Sequence, residues 1–159
     1  MRFNQIDQIF LLEPGAKIDA ACNLTGREDY LRDHFPRFPV MPGVLMLEAL
    51  FQASALLVRA TDEYQNGLVL LQEAKNVKFS DFVQPGQCLN VVAEIIKHAE
   101  QLTTIKATGK KKDALAVTAR LVIKRGPIEG GSALSYADRY ASNYMRELTQ
   151  RLMQIPVPG

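Results

Sequence analysis

His34, Gly43 and Glu48 fall within fifteen residues of one another, and together they could take a proton, steady an oxyanion and assist a leaving group. His34 is one of only two histidines in the chain, and imidazole is the side chain best suited to proton transfer near neutral pH. Phe35, Pro36, Phe38 and Pro39 around it would form a stiff apolar wall, the setting that holds a loop base and keeps it from bulk water. Pro42 suits the first turn of a helix, where its missing N–H costs nothing. The N–H groups of Gly43 and Val44 would then point out of the helix start toward developing negative charge, the geometry an enolate oxygen requires. Glu48 lies on that helix, and a carboxylate on an otherwise apolar helix needs a structural partner or a function. At about 100° per residue, Glu48, Gln52 and Arg59 fall within roughly 40° of one another as a polar stripe. The second histidine, His98, stands beside Lys97, Ala99 and Glu100 near a turn and reads as a solvated residue.

The elements that must position these groups follow from pattern. Residues 3–12 and 16–24 read as a hairpin closed by Pro14 and Gly15, a pair suited to a type II turn. From Pro42 to Ala60 the chain is apolar around nearly its whole circumference, so this helix belongs inside. Extended segments are expected at 66–79, 87–98, 101–109 and 114–124. The last alternates most clearly, with Leu115, Val117, Ala119, Leu121 and Ile123 on one face and Thr118, Arg120 and Lys124 on the other. Hairpin, one buried helix and then consecutive strands argue for an antiparallel sheet around a central helix rather than a βαβ repeat. Gly126-Pro127 and Gly130-Gly131 precede an amphipathic helix at 133–153, with Ala137, Tyr140, Ala141, Tyr144, Leu148 and Leu152 on one face. Tyr136, Tyr140 and Tyr144 would build an aromatic ridge wasteful in solvent, so packing on the sheet is the expected role.

A chain of 159 residues with 47% hydrophobic content suits one domain with a real core. Its net charge of +2 makes no electrostatic case for nucleic acid. The N-terminal residues offer no apolar run for a signal peptide or membrane span, so a cytoplasmic location is expected. Cys22 and Cys88 lack metal-ligand spacing and read as reduced core thiols.

The run from His34 through Phe35, Pro39, Met41, Pro42 and Gly43 to Glu48 resembles the hotdog-fold (3R)-3-hydroxyacyl-acyl-carrier-protein dehydratases of type II fatty acid synthesis. Two related groups share this core, and Glu rather than Asp at position 48 favours the FabZ-like group, which does not isomerise its product, over the FabA-like one. The likeness continues through Glu48-Ala49-Leu50-Phe51-Gln52 and more loosely through Lys78-Phe79 and Val83-Gln84-Pro85-Gly86, covering roughly residues 3 to 125.

The resemblance implies an α+β hotdog domain over residues 1–126, an antiparallel sheet wrapped around one long buried helix. Residues 127–159, which have no counterpart in compact members of that family, are expected to form a C-terminal linker and an amphipathic helix packed on the same domain. It implies His34 and Glu48 as the catalytic pair and the Gly43 N–H, with that of Val44, on the thioester carbonyl. Met41, Leu45, Phe51 and Phe82 would line an acyl tunnel, with Gln52 in support. Lys75, Lys78, Arg120, Lys124 and Arg125 are the cations that could dock an acidic carrier protein. The reaction needs no metal or organic cofactor, because the substrate rides on the carrier's phosphopantetheine. A homodimer would share each site across its interface, Glu48 facing the partner's His34, and such dimers often assemble into hexamers as trimers of dimers. Two other readings stay open: a catalytically silent hotdog subunit, which departures from the usual pattern at Asp33, Arg37 and Phe51 would suit, and a hotdog acyl thioesterase.

Overall fold

The computed structural model describes residues 4–31, 37–128 and 136–154. His34 and its neighbours Asp33, Phe35 and Pro36 lie outside the described residues. The hairpin forms as expected from strands β1 (Gln8–Glu13) and β2 (Lys17–Asn23). Gly15 takes a φ of 81°, reachable without strain only by glycine, and the Ala16 N–H donates to the Glu13 carbonyl at 3.0 Å. β1 starts at Gln8 rather than residue 3 because the preceding residues find other acceptors: the Gln5 N–H donates to the Gln52 side chain at 2.6 Å.

Helix α1 (Gly43–Thr61) follows, then β3 (Leu68–Phe79), β4 (Cys88–His98), β5 (Leu102–Lys111), β6 (Ala114–Gly126) and helix α2 (Tyr136–Met153). The strands make one six-stranded sheet in the order β1-β2-β4-β5-β6-β3, antiparallel at every pairing. β3 leaves the helix and joins the far edge beside β6, so the sheet curls around α1 as a hotdog fold. The helix buries Met46, Ala49, Leu50, Ala53, Leu57 and Val58 among others, against Leu89, Val91, Ala93, Ile105, Ala107, Leu121 and Ile123 of the sheet. Ser54, also buried, donates its hydroxyl to the Leu50 carbonyl at 2.7 Å, which removes the cost of placing it there. α1 is long and apolar enough to cross a membrane, yet 56% of that stretch is buried inside the fold, as in the core helix of a sheet protein. Cys22 and Cys88 are reduced cysteines, and burial raises the Cys88 pKa.

Leu115 departs from the alternation read for its strand. A register irregularity between Gly109 and Lys110 turns the tip of the β5–β6 hairpin, leaving Leu115 37% exposed while Ala116 and Val117 are fully buried.

His98 is exposed, as its sequence setting suggests, yet both ring nitrogens have partners. At the C-terminal end of α1, Asp62 accepts from His98 Nε2 at 3.1 Å, from Arg125 Nε at 2.7 Å and from Asn66 Nδ2 at 2.9 Å. Arg125 Nη1 also donates to Thr103 Oγ1 at 2.6 Å, and Thr103 Oγ1 lies 2.8 Å from His98 Nδ1. Thr103 Oγ1 thus bridges Arg125 and His98. This network ties the helix end to β4, β5 and β6.

α2 packs on α1 and β1, using only part of the face its apolar residues suggested: Leu148 and Leu152 turn inward and the tyrosines do not. Tyr136, Tyr140 and Tyr144 are 82%, 67% and 52% exposed, whereas Asp138, Ser142, Thr149 and Leu152 are buried, with Met145 and Leu148 packed beside them. The polar members are satisfied locally: Asp138 Oδ1 accepts from the Ile128 N–H at 2.8 Å, and Thr149 Oγ1 donates to the Met145 carbonyl at 2.7 Å. Helix and α1–β3 turn are also joined where the Arg146 guanidinium lies 5.1 Å from the Tyr64 ring centre. Gly67 lets Asp138 approach, since a Cβ there would lie 2.0 Å from Asp138 Oδ1 and 2.8 Å from its Cα. Gly67→Ala must therefore push α2 outward, and an overpacking cost of about 1–3 kcal/mol is expected in denaturant unfolding. Amide exchange across α2 should accelerate in the variant; an unchanged rate there would show that the close approach is not what seats the helix.

Candidate active site

The first turn of α1 sets the site's polar end. Pro42 is the N-cap, with φ −56° and ψ 140°, so the helix begins at Gly43, one residue later than a proline in the first turn would place it. The Pro42 carbonyl accepts from the N–H groups of Leu45 at 2.9 Å and Met46 at 3.2 Å. Gly43 and Val44, as the first two helical residues, have no intrahelical acceptor for their N–H groups, the kind of helix start at which negative charge is favoured. Gly43 backs onto Phe79: a Cβ at this position would sit 3.2–3.3 Å from three atoms of the ring. Val44 is 69% exposed.

Five residues further on, about 7.5 Å along the axis, the half-buried Glu48 accepts from Gln52 Nε2 at 3.0 Å. Gln52 Oε1 accepts from the backbone N–H of Gln5 at 2.6 Å. The Gln5 bond fixes which way the Gln52 amide faces, because its oxygen is needed by a backbone donor and its nitrogen must therefore turn to Glu48. Glu48 is thus held as an acceptor at a defined place rather than left to search the surface. Arg59 does not join this stripe. Its guanidinium turns to the Asn66 carbonyl at 3.1 Å and the Gly67 carbonyl at 3.4 Å, and burial lowers its pKa. Those carbonyls follow the end of α1 and need a donor, so proximity along the helix face does not decide where a long side chain goes.

Of the residues expected along an acyl tunnel, Met41 is buried, with its N–H donating to the Val83 carbonyl at 2.8 Å, and Leu45 and Phe51 pack half-buried against the core. Phe82 is 55% exposed and meets Phe38 edge to face, ring centres 5.9 Å apart. Its loop is pinned by Lys111, whose Nζ donates to the Phe82 carbonyl at 2.8 Å and pairs with Asp81 at 3.2 Å. The Phe82 N–H and Lys111 together hold the Asp81 carboxyl below its ordinary pKa. Phe38, Val44, Phe79 and Phe82 are all large apolar side chains left uncovered in a single chain. The positions of Phe38 and Phe79 were open to sequence reading through their neighbours Pro39 and Lys78. The role of Gln5 had no sequence signal, because it depends on a distant segment crossing the helix.

Among the candidate docking cations, Lys75, Lys78, Arg120 and Lys124 are exposed, Lys75 lying 3.6 Å from Glu73. Arg125 is withdrawn from that set: it is 8% exposed and its guanidinium is spent on Asp62, Thr103 and the Ala99 carbonyl. Among the described residues no group of three or more His, Cys, Asp or Glu side chains is placed to hold a metal ion.

Residues 1–120 match the model of the FabA-like domain family. The chain is 34% identical over 116 residues to the 3-hydroxyacyl-[acyl-carrier-protein] dehydratase FabZ of Levilactobacillus brevis, covering 73% of this chain and 78% of that protein. It is 38% identical over 115 residues to the FabZ dehydratase of Clostridium kluyveri, covering 70% of this chain and 80% of the relative. Solved structures of similar fold include the dehydratase heterocomplex ApeI:P of Xenorhabdus doucetiae, with a TM-score of 0.61 at 15% identity over 77% of this chain and 83% of that one. A Streptococcus mutans protein bound to acetyl CoA matches with a TM-score of 0.62 at 11% identity over 79% of this chain and 91% of that one.

Proposed function

Because the chain belongs to the FabA-like domain family, we infer that it is a hydro-lyase that removes water from a (3R)-3-hydroxyacyl chain carried on acyl carrier protein, giving the trans-2-enoyl thioester in fatty acid biosynthesis. One observation supports the site assignment above the others: a half-buried carboxylate, Glu48, fixed by Gln52 on the same helix whose first N–H groups are open to a ligand. In the proposed reaction His34 takes the proton from C2 of the substrate. Negative charge moves onto the thioester oxygen, where the N–H groups of Gly43 and Val44 receive it. The C3–O bond then breaks as the enolate electrons form the C2–C3 double bond, and the departing hydroxyl, held by Glu48, leaves as water with the proton that His34 took from C2. A C2 proton beside a thioester is acidic enough for imidazole once that oxygen is stabilised, so the chemistry asks for no cofactor beyond the carrier-borne substrate.

The uncovered apolar rim of Phe38, Val44, Phe79 and Phe82 suits burial by a second copy of the chain. In the resulting dimer Glu48 of one protomer would face His34 of its partner, and trimers of dimers would follow the same contacts. Lys75, Lys78, Arg120 and Lys124 are the proposed cations for an acidic carrier protein, and the setting is the cytoplasm.

The test is hydration of a crotonyl thioester on acyl carrier protein, followed by formation of the 3-hydroxybutyryl product. Product formation is the expected result. Release of free carrier thiol instead would identify a thioesterase, and inertness of the parent toward carrier-bound substrates of several lengths would identify a binding subunit.

A further inference from the structure

A second concave surface lies away from this site. It is a groove of about 770 Å³ on the outer face of β4 and β5, between the Gly86 turn and the β5–β6 hairpin. Four lysines line it, Lys106, Lys110, Lys111 and Lys112, against one carboxylate, Glu94. Lys111 is committed to Asp81 and the Phe82 carbonyl. Among the described residues, none of the other three ammonium groups has a hydrogen-bond or ion-pair partner, and all three residues are exposed. We propose that this groove binds a ligand carrying two or more phosphate groups.

The register of the sheet concentrates the charge further. Lys106 on β5 stands directly opposite Arg120 on β6, and Arg120 directly opposite Lys75 on β3. On its other side Lys106 faces Glu94 of β4, and Lys75 lies 3.6 Å from Glu73, so two carboxylates partly offset three cations in line and the row keeps a net positive charge for a bound polyanion. The chain as a whole carries only +2, so this is a local accumulation and not the consequence of a basic protein.

The chemistry of the lining narrows the ligand. β4 and β5 are paired along both edges, so the floor has no open strand edge on which an extended peptide could add. Asn90 is taken by Asp19 at 2.8 Å, and Gln87 Oε1 by the Gln84 N–H at 2.7 Å. The lining holds no aromatic ring to stack a base. What is left is ammonium groups on flexible stems, which recognise phosphate as point charges, in a volume suited to a small molecule.

Calorimetric titration at low salt with tripolyphosphate tests the proposal without reference to catalysis. Saturable binding is expected, weakened about tenfold by each of Lys106→Ala and Lys110→Ala, the loss of one charge-assisted hydrogen bond apiece. Glu94→Gln should tighten it, and Lys97→Ala, beyond the groove on β4, should leave it unchanged, with thermal melts confirming that every variant folds. A parallel titration with adenosine 3′,5′-bisphosphate separates sources: tighter binding than tripolyphosphate points to phosphates borne on a nucleotide, weaker binding to a free oligophosphate. No saturable binding of either probe, or an affinity the lysine variants leave unchanged, would overturn the proposal. Loss of turnover on carrier-bound substrate in the double lysine variant, with neither probe binding the parent, would make the groove a protein dock and would overturn it too.

Discussion

Glu48→Gln is expected to lower hydration of a carrier-bound crotonyl thioester by at least about a hundredfold, the scale of a lost acid–base group, while leaving the melting temperature close to the parent's. The substitution is nearly isosteric, and a glutamine at 48 can still accept from Gln52 Nε2 through its own amide oxygen, so the contact that places the side chain survives and only the carboxylate chemistry is removed. His34→Ala should cost a similar factor. If either variant turns over at the parental rate, that residue does not do the chemistry assigned to it.

The two variants also test whether sites are shared. Co-produced and purified together, His34→Ala and Glu48→Gln chains would form mixed dimers in which one of the two sites draws an intact His34 from one protomer and an intact Glu48 from its partner. Random pairing then restores about a quarter of parental turnover from two inactive chains, a consequence of two-fold symmetry. A mixture as inactive as its components would place both residues of a site on one chain.

Arg125→Met carries the largest expected stability effect. Arg125 is 8% exposed, and it donates to Asp62 at 2.7 Å, to Thr103 at 2.6 Å and to the Ala99 carbonyl. Methionine would fill much of the space but leave the Asp62 carboxylate without its cationic partner, and breaking a buried pair from one side typically costs about 3–5 kcal/mol. Urea unfolding should show a loss near the lower figure, since Asn66 and His98 still donate to Asp62. Arg125→Lys should recover part of it, because an ammonium cannot reach three acceptors in the directions a guanidinium does. Turnover per folded chain should hold at the parental value, the network lying at the opposite end of α1 from Gly43. A stability change below about 0.5 kcal/mol, the range of ordinary surface substitutions, would show that the cluster does not pin the helix end.

The residues themselves determined whatever depends on near neighbours and on apolar period. Pro14 and Gly15 specify a turn because only glycine takes the second position without strain, and the turn is there with Gly15 at φ 81°. The uninterrupted apolar run after Pro42 specifies a core helix because no other placement hides it from water. The alternation of Val117, Ala119, Leu121 and Ile123 specifies a strand with one dry face, all four being buried. The motif around Gly43 and Glu48 was legible for the same reason, since its parts lie on one helix.

Tertiary structure alone decided what depends on partners distant in sequence. Gln5 orients Gln52, and hence Glu48, across 47 residues, a bond no local pattern announces. Arg125 read as a surface group because charge favours water, yet Asp62 and Thr103 offer it hydrogen bonds at the sheet's end that offset its burial, and the same two side chains engage the exposed His98. α2 turns its tyrosines outward because Gly67 leaves room for Asp138 and the Ile128 N–H satisfies it. In each case a polar side chain went where its hydrogen bonds could be completed, and that place exists only once the sheet has closed around the helix.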